Sequence, residues 1–281
     1  MNLDEIYLQH PLSERTILAR LRRQRLGVRP LTEWDLAVDV ATGITDQNHS
    51  GGVEAVLALG AAAGVDQHTV VADVGAGLGG PARVLAAAFG CRVLCIDRDA
   101  QRCRDAASLT ARVDLQDLVT VSCMDVLRDR PPFDEVDVLW GQAAWVHFPD
   151  PRKFLDTWLP IVKPDGRVVM ADAFMNRSPV TEGEVGALRQ LERSWSAHLQ
   201  PLSTWIDALE THGWRASLIQ DVTDAAVDSF ERLQRQAEHW PSGDVTPEER
   251  EGWTHTLNAF EAGLVRGYHV VAFRATPSAA D

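Results

Sequence analysis

The chain has 281 residues, 45% of them apolar, and 40 acidic against 27 basic side chains give it a formal net charge of −13. Those numbers allow one large α/β domain, or one domain with a lid. They argue against general nucleic-acid binding, because phosphates repel such a surface. No stretch approaches the roughly 20 consecutive apolar residues of a membrane span, and the first 30 residues lack the apolar run of a secretory leader. A cytoplasmic setting is the expectation. The four cysteines, Cys91, Cys95, Cys103 and Cys123, include no C-x-x-C pair and suit reduced, buried thiols. The basic run Arg20, Arg22, Arg23, Arg25 and Arg29 reads as a solvated helix face.

In chain order, residues 1–40 have helical spacing, and Thr45–Gly52 is a polar, glycine-rich loop. A helix from Val53 to about Ala63 is stopped by Gly64. Apolar, β-branched runs then recur at Val70–Val74, Arg92–Ile96, Leu118–Cys123, Val136–Trp140 and Arg167–Ala171. Helical segments separate them at Pro81–Phe89, Ala100–Val113 and Pro151–Val162, and Lys163–Gly166 has turn chemistry. Alternating short strands and helices predict parallel βαβ units with helices on both faces of a doubly wound sheet. A sixth strand is expected at Trp214–Asp221 and a last one at Tyr268–Ala275. Thr246, Pro247 and Glu249 form a capping-box pattern. The expected division is an N-terminal helical cap, 1–64, and a Rossmann-like domain, 65–281, with helical lid insertions at about 176–200 and 223–265.

The densest chemical signal is Val70–Gly80, where a strand enters a glycine turn and a helix follows. Glycines let backbone approach a ligand, and the free N–H groups of the helix start then face it. Gly75, Gly77 and Gly80 also fit G-x-G-x-x-G, which dinucleotide-binding enzymes share. Asp73 separates the two cases. A carboxylate two residues before the first glycine repels a pyrophosphate but attracts an amino-acid ammonium. Asp97 lies 22 residues after Gly75, at a strand end suited to ribose hydroxyls. Asp125 ends the next strand, where a carboxylate can accept the exocyclic amine of adenine.

The run Asp73–Arg83 (D-V-G-A-G-L-G-G-P-A-R) resembles motif I of class I S-adenosylmethionine-dependent methyltransferases. The likeness is to the branch with sarcosine/dimethylglycine and phosphoethanolamine N-methyltransferases. It extends over roughly residues 40–175, through Thr45–Gly52, Leu139–His147 and Leu159–Gly166. It implies a seven-stranded, mostly parallel sheet of order 3-2-1-4-5-7-6 with an antiparallel seventh strand. It also implies roles. Gly75, Gly77 and Gly79 would hug the methionine part of S-adenosylmethionine. Asp97 would bind ribose, with Arg98 beside the adenine and Asp125 and Val126 bracketing it. Gln142 would face the methionine end, and the loop from Gln47 to Gly52 would close over the cofactor.

Methyl transfer from a sulfonium is an in-line displacement in which positioning supplies much of the acceleration. A general base is needed only when the acceptor must lose a proton. His147, just past the fourth strand, is the first candidate base, and His49 the second. In phosphoethanolamine methyltransferases a histidine in a similar A-x-x-H context pairs with a tyrosine; here Tyr7 and Tyr268 do not match the spacing. Trp34, Trp145, Trp195 and Trp240 are candidates to wall the acceptor pocket. Asp172 and Asn176 alone are too few ligands for a metal, and none is expected. The expected activity is methylation of an amine or hydroxyl of a small metabolite, with C-methylation of an apolar metabolite second. An NAD(P)-dependent oxidoreductase is the reading from another class, but two tyrosines and two lysines supply no Tyr-x-x-x-Lys pair. A binding protein without catalysis is a third. A homo-oligomer is compatible with all three.

Overall fold

A computed structural model describes residues 13–23, 47, 49–131, 133–238 and 245–275. The rest of the expected N-terminal helical stretch lies outside the described residues, as do Thr45, Asp46, Asn48, Trp34, Trp240, the 241–244 break, Arg25 and Arg29.

Helix α1 (Glu14–Arg23) precedes α2 (Gly52–Ala62). The alternation then runs β1 (Val70–Val74), α3 (Gly80–Phe89), β2 (Arg92–Asp97), α4 (Ala100–Arg112), β3 (Val119–Cys123) and β4 (Val136–Gln142). A single 3-10 turn, Trp145–His147, leads to α5 (Pro151–Trp158), β5 (Val162–Met175) and α6 (Glu182–Trp195). The chain continues with α7 (Leu202–Thr211), β6 (Trp214–Asp221), α8 (Thr223–Ala237), α9 (Pro247–Glu261) and β7 (Val265–Arg274). The seven strands form one sheet of order β3-β2-β1-β4-β5-β7-β6. The first five pair in parallel, whereas β7 runs antiparallel to both β5 and β6.

Central strands of such a sheet are covered on both faces, so they are continuously apolar rather than alternating; in β1 four of five residues are buried. One apolar layer packs Trp145, Phe154, Trp158, Trp205 and Trp214 under α5 and α7. The opposite layer packs Val56, Leu59, Leu85, Trp140 and Val169 under α2 and α3. A third cluster lies over the end of the sheet, where Leu188 and Leu191 of α6 meet Ala259 and Phe260 of α9. Helix α1 docks on α4: Ile17 and Leu18 pack with Leu109 and Val113, and Glu14 takes hydrogen bonds from Ser108 (2.9 Å) and Arg112 (2.5 Å).

One expected turn has a different form. Lys163–Gly166 lies within β5, looped out where the register passes from Val136↔Val162 to Val138↔Arg167. The ammonium of Lys163 is held at 2.7 Å by Asp137, on the partner strand, so the turn is a bulge pinned to β4. Cys123 also departs from expectation: it is exposed, whereas Cys91, Cys95 and Cys103 are buried.

Candidate active site

The strands of a doubly wound sheet leave a crevice beyond their carboxyl ends. Here a cavity of about 340 Å³ opens there, lined at its floor by Gly75, Ile96, Asp97, Arg98, Asp125, Val126 and Ala143–Ala144.

The floor is built from the glycine turn. Gly75 has φ +81°, and its N–H and that of Ala76 donate to Ile96 O at 2.8 and 3.0 Å, tying β1 to β2. A Cβ on Gly75 would stand 2.4 Å from the Ala144 Cβ, so glycine is required both by conformation and by space. Gly77 offers its N–H to Asp97 Oδ2 at 2.8 Å, and Gly79 is the left-handed N-cap of α3. Neither of these two glycines lines the cavity, whereas Gly75 does.

Asp97 ends β2 and is 6% exposed. Its second oxygen accepts from Asp99 N at 2.9 Å. Burial raises its pKa, while the Arg102 guanidinium and these two N–H donors pull it back. Asp73 is 2% exposed, and its Oδ2 has no hydrogen-bond partner among the described residues. Burial, then the neighbouring Asp97 charge, pushes its pKa up to about 7. Gln142 ends β4, two residues beyond Trp140, the register partner of Asp73. Its Oε1 accepts from Trp140 Nε1 at 3.0 Å, which orients the amide and leaves Nε2 buried and without a partner among the described residues. Asp125 accepts from Leu127 N at 3.1 Å, so it closes the turn after β3 as well as facing the cavity.

The two histidines both line the cavity, together with Gln47. His147 sits on the 3-10 turn, with Nδ1 3.3 Å from Ser196 O. A carbonyl accepts only, so Nδ1 carries the proton and Nε2 is left as an acceptor. Burial drives its pKa down to about 4. His49 Nδ1 likewise donates to Ser50 O at 3.0 Å, and burial puts its pKa at about 4. His49 Nε2 lies 3.0 Å from Gln47 Oε1, which ties the ring to the Gln47 side chain. Both imidazoles are neutral at ordinary pH.

Asp172 has a different task from metal binding. Its Oδ2 accepts from the backbone N–H groups of Ala144, Trp145 and Val146 at 3.1, 2.9 and 3.1 Å, holding the turn that carries His147. Burial nonetheless brings its pKa up to about 6. Asn176 donates to Gly263 O, away from Asp172.

Above this floor the walls come from α6, α8 and α9: Leu191, Trp195, Phe230, Leu233, Trp253 and Phe260. Two hydrogen bonds fasten this roof to the turn that carries His147: His198 N donates to Val146 O (2.7 Å), and the His147 ring donates to Ser196 O. A third joins Gly51 N to Ser229 Oγ at 3.3 Å. Of the tryptophans expected in the wall, Trp195 lines the cavity, whereas Trp145 is stacked on Trp205 at 5.5 Å in the core. A Cβ on Gly141 would meet the Trp145 ring at 2.0 Å, so the indole fills the space that glycine leaves. The sequence reading missed Trp253, Phe230, Glu249, Arg102, Tyr268 and His269, which also line the cavity. Arg102 had a usable signal, being one turn into the helix after Asp97; the others lie in insertions or a terminal strand whose neighbours the spacing does not reveal.

The glycine turn, the acid at the end of β2 and the 3-2-1-4-5-7-6 sheet together are those of the class I S-adenosylmethionine-dependent methyltransferase fold. The comparisons agree: residues 72–170 match the family described as a methyltransferase domain. The 2-methyl-6-phytyl-1,4-hydroquinone methyltransferase of Synechocystis sp. is 33% identical over 136 residues, 46% of this chain and 40% of that protein. This chain thus matches less than half the length of that relative. A sarcosine/dimethylglycine N-methyltransferase of Halorhodospira halochloris is 25% identical over 224 residues, 77% of each chain. A Haemonchus contortus phosphoethanolamine N-methyltransferase shares the fold with a TM-score of 0.73 at 16% identity, covering 92% of this chain and 60% of that one. No described helix is long and apolar enough to cross a membrane.

Proposed function

We propose that this chain methylates a small-molecule acceptor, at an amine or hydroxyl, with S-adenosylmethionine as donor. The observation that carries this reading is the cavity beyond the carboxyl ends of β1 and β2, floored by Gly75, Asp97 and Arg98; behind that floor Asp73 Oδ2 and Gln142 Nε2 are buried without partners among the described residues. A buried acceptor and a buried donor left without partners are costly unless a ligand completes them. An amino-acid end does so, its ammonium facing the carboxylate and its carboxylate facing the amide. A pyrophosphate does not, since Asp73 would repel it.

S-adenosylmethionine supplies a methyl group already activated on a sulfonium. The chain's own residues bind, orient and exclude water. Gly75 lets the backbone approach the methionine part. Gly77 and Gly79 shape the turn from behind, and Asp97 accepts from ribose hydroxyls. Arg98, Asp125 and Val126 flank the adenine, and Gln47 with its loop covers the site. His147 Nε2 accepts a hydrogen bond from the nucleophile and aims its lone pair at the methyl. At a pKa near 4 it is a weak base, so orientation is its larger contribution. His49 holds the covering loop through Gln47 and Ser50. The helical insertions at 176–200 and 223–265 serve as a lid within residues 65–281, and the stretch 1–64 as a cap.

The test is calorimetric titration with S-adenosylmethionine, S-adenosylhomocysteine and NADH side by side. Micromolar binding of the two sulfur nucleosides without NADH supports the proposal. Binding of NADH alone would overturn it in favour of an oxidoreductase.

A further inference from the structure

Resting on that methyltransferase reading, we infer that the chamber under α6, α8 and α9 takes an uncharged, largely apolar acceptor rather than a zwitterionic or phosphorylated amine. The geometry divides the cavity into two ends. Asp97, Arg98, Arg102 and Asp125 stand at the floor, on the segments that follow β2 and β3. The far end is walled by Leu191, Trp195, Phe230, Leu233, Trp253 and Phe260, with no lysine or arginine among its described lining residues. The Arg102 charge lowers both the Asp97 carboxyl and the His147 imidazole, and its guanidinium reaches Gly77, so it stands at the floor end.

Charge follows the same division. Beyond the floor, and besides two carboxylates, the titratable groups among the described lining residues are imidazoles and a phenol: His49, His147, His269 and Tyr268. Burial lowers all three imidazoles, so none offers a cation at neutral pH. The anionic lining groups Asp172 and Glu249 are spent on backbone: Asp172 caps the 144–146 turn, and Glu249 accepts from Thr246 N at 3.0 Å in the capping box of α9. A carboxylate or phosphate entering this end would lose its hydration and meet no counter-charge among the described residues that wall it. An apolar body gains in proportion to the surface it buries there. Selection against charged acceptors is therefore built into the roof. The neutral histidines leave hydrogen-bonding capacity for a single hydroxyl or amine near the methyl.

The test uses N-phenyl-1-naphthylamine, an uncharged aromatic probe whose fluorescence rises in apolar cavities, titrated with and without saturating S-adenosylhomocysteine. Wild-type protein is compared with Leu233→Glu and with the uncharged Leu233→Gln, each checked for fold by circular dichroism. The expected result is saturable binding, weakened about tenfold or more by Leu233→Glu and less by Leu233→Gln, with S-adenosylhomocysteine affinity within twofold of wild type for both. Absence of probe binding to wild type, or binding untouched by both variants, would overturn the inference. Turnover of sarcosine or phosphoethanolamine would overturn it equally. Intact probe binding beside a flat S-adenosylhomocysteine titration supports an apolar ligand and sinks only the methyltransferase reading.

Discussion

Replacing Asp73 by asparagine should stabilise the free protein and weaken its hold on S-adenosylmethionine. The carboxyl has a folded pKa of about 7 against 3.8 in the unfolded chain. A raised folded pKa means that the native state is favoured below the lower value, and that this advantage is lost as pH rises through about 7. Three units at about 1.4 kcal/mol each amount to about 4 kcal/mol by pH 8.5. Asparagine removes that slope, but its amide nitrogen then needs a partner, a cost of about 1–3 kcal/mol. The net expectation is a gain of about 1–3 kcal/mol at pH 8.5 that turns into a loss of about 1–3 kcal/mol near pH 4. Ligand binding moves the other way. Loss of a charge-assisted hydrogen bond worth about 1.5–3 kcal/mol lowers affinity by about ten- to a hundredfold. Wild type should also release close to one proton on binding near pH 6 and almost none above pH 8.5, because a cationic ligand end favours the carboxylate. Urea melts from pH 4 to 9 measure the first effect, and calorimetry in buffers of different ionisation enthalpy the second. A variant less stable than wild type at pH 8.5, or one binding S-adenosylmethionine as tightly, would refute the reasoning.

The other expectations concern neighbouring groups. Lowered folded pKa values make His49 and His147 stabilising above 6.5, an advantage lost as pH falls through about 4; in Asp73→Asn their acid limb should stand out as a steeper fall in melting temperature below pH 6.5. Asp97→Asn should cost about tenfold or more in S-adenosylhomocysteine affinity, and because Gly77 N and Asp99 N also bond to that carboxylate, hydrogen exchange of those two amides should rise; unchanged affinity would remove Asp97 from the ribose. Gly75→Ala puts a Cβ 2.4 Å from Ala144 at φ +81°, and loss of S-adenosylmethionine binding with a melting temperature lower by several degrees is expected; retained binding would show that the turn has other room. His147→Gln should lower kcat about tenfold or more while KM for S-adenosylmethionine stays within twofold, and the wild-type kcat should be flat from pH 6 to 8.5; an acid limb near 6.5 that the variant lacks would show a histidine that titrates normally.

How far the sequence alone reaches can be judged element by element. Strand runs such as Val70–Val74 and Arg92–Ile96 are legible because a strand covered on both faces must be apolar throughout, and helices between them force parallel pairing. Gly75 and Asp97 are legible because a turn with left-handed φ and an acid at the end of β2 are local demands tied to local spacing. The capping box at Thr246–Glu249 is local in the same way. What spacing does not contain is desolvation and company. Nothing around His147 in the chain states that Ser196 would lie against its ring, or that burial would take its pKa to about 4. Asp172 reads as a loose acid until three amides 26 to 28 residues away converge on one oxygen. Trp145 and Trp195 are alike in sequence, yet the space beside Gly141 draws the first into the core and the roof of α6 and α9 turns the second toward the cavity. Local pattern determined the strands, the helices between them and the glycine turn, while the strand order followed from the family resemblance. Only the docking of distant helices decided how dry, how neutral and how apolar the place for the acceptor is, because those properties depend on which surfaces exclude water together.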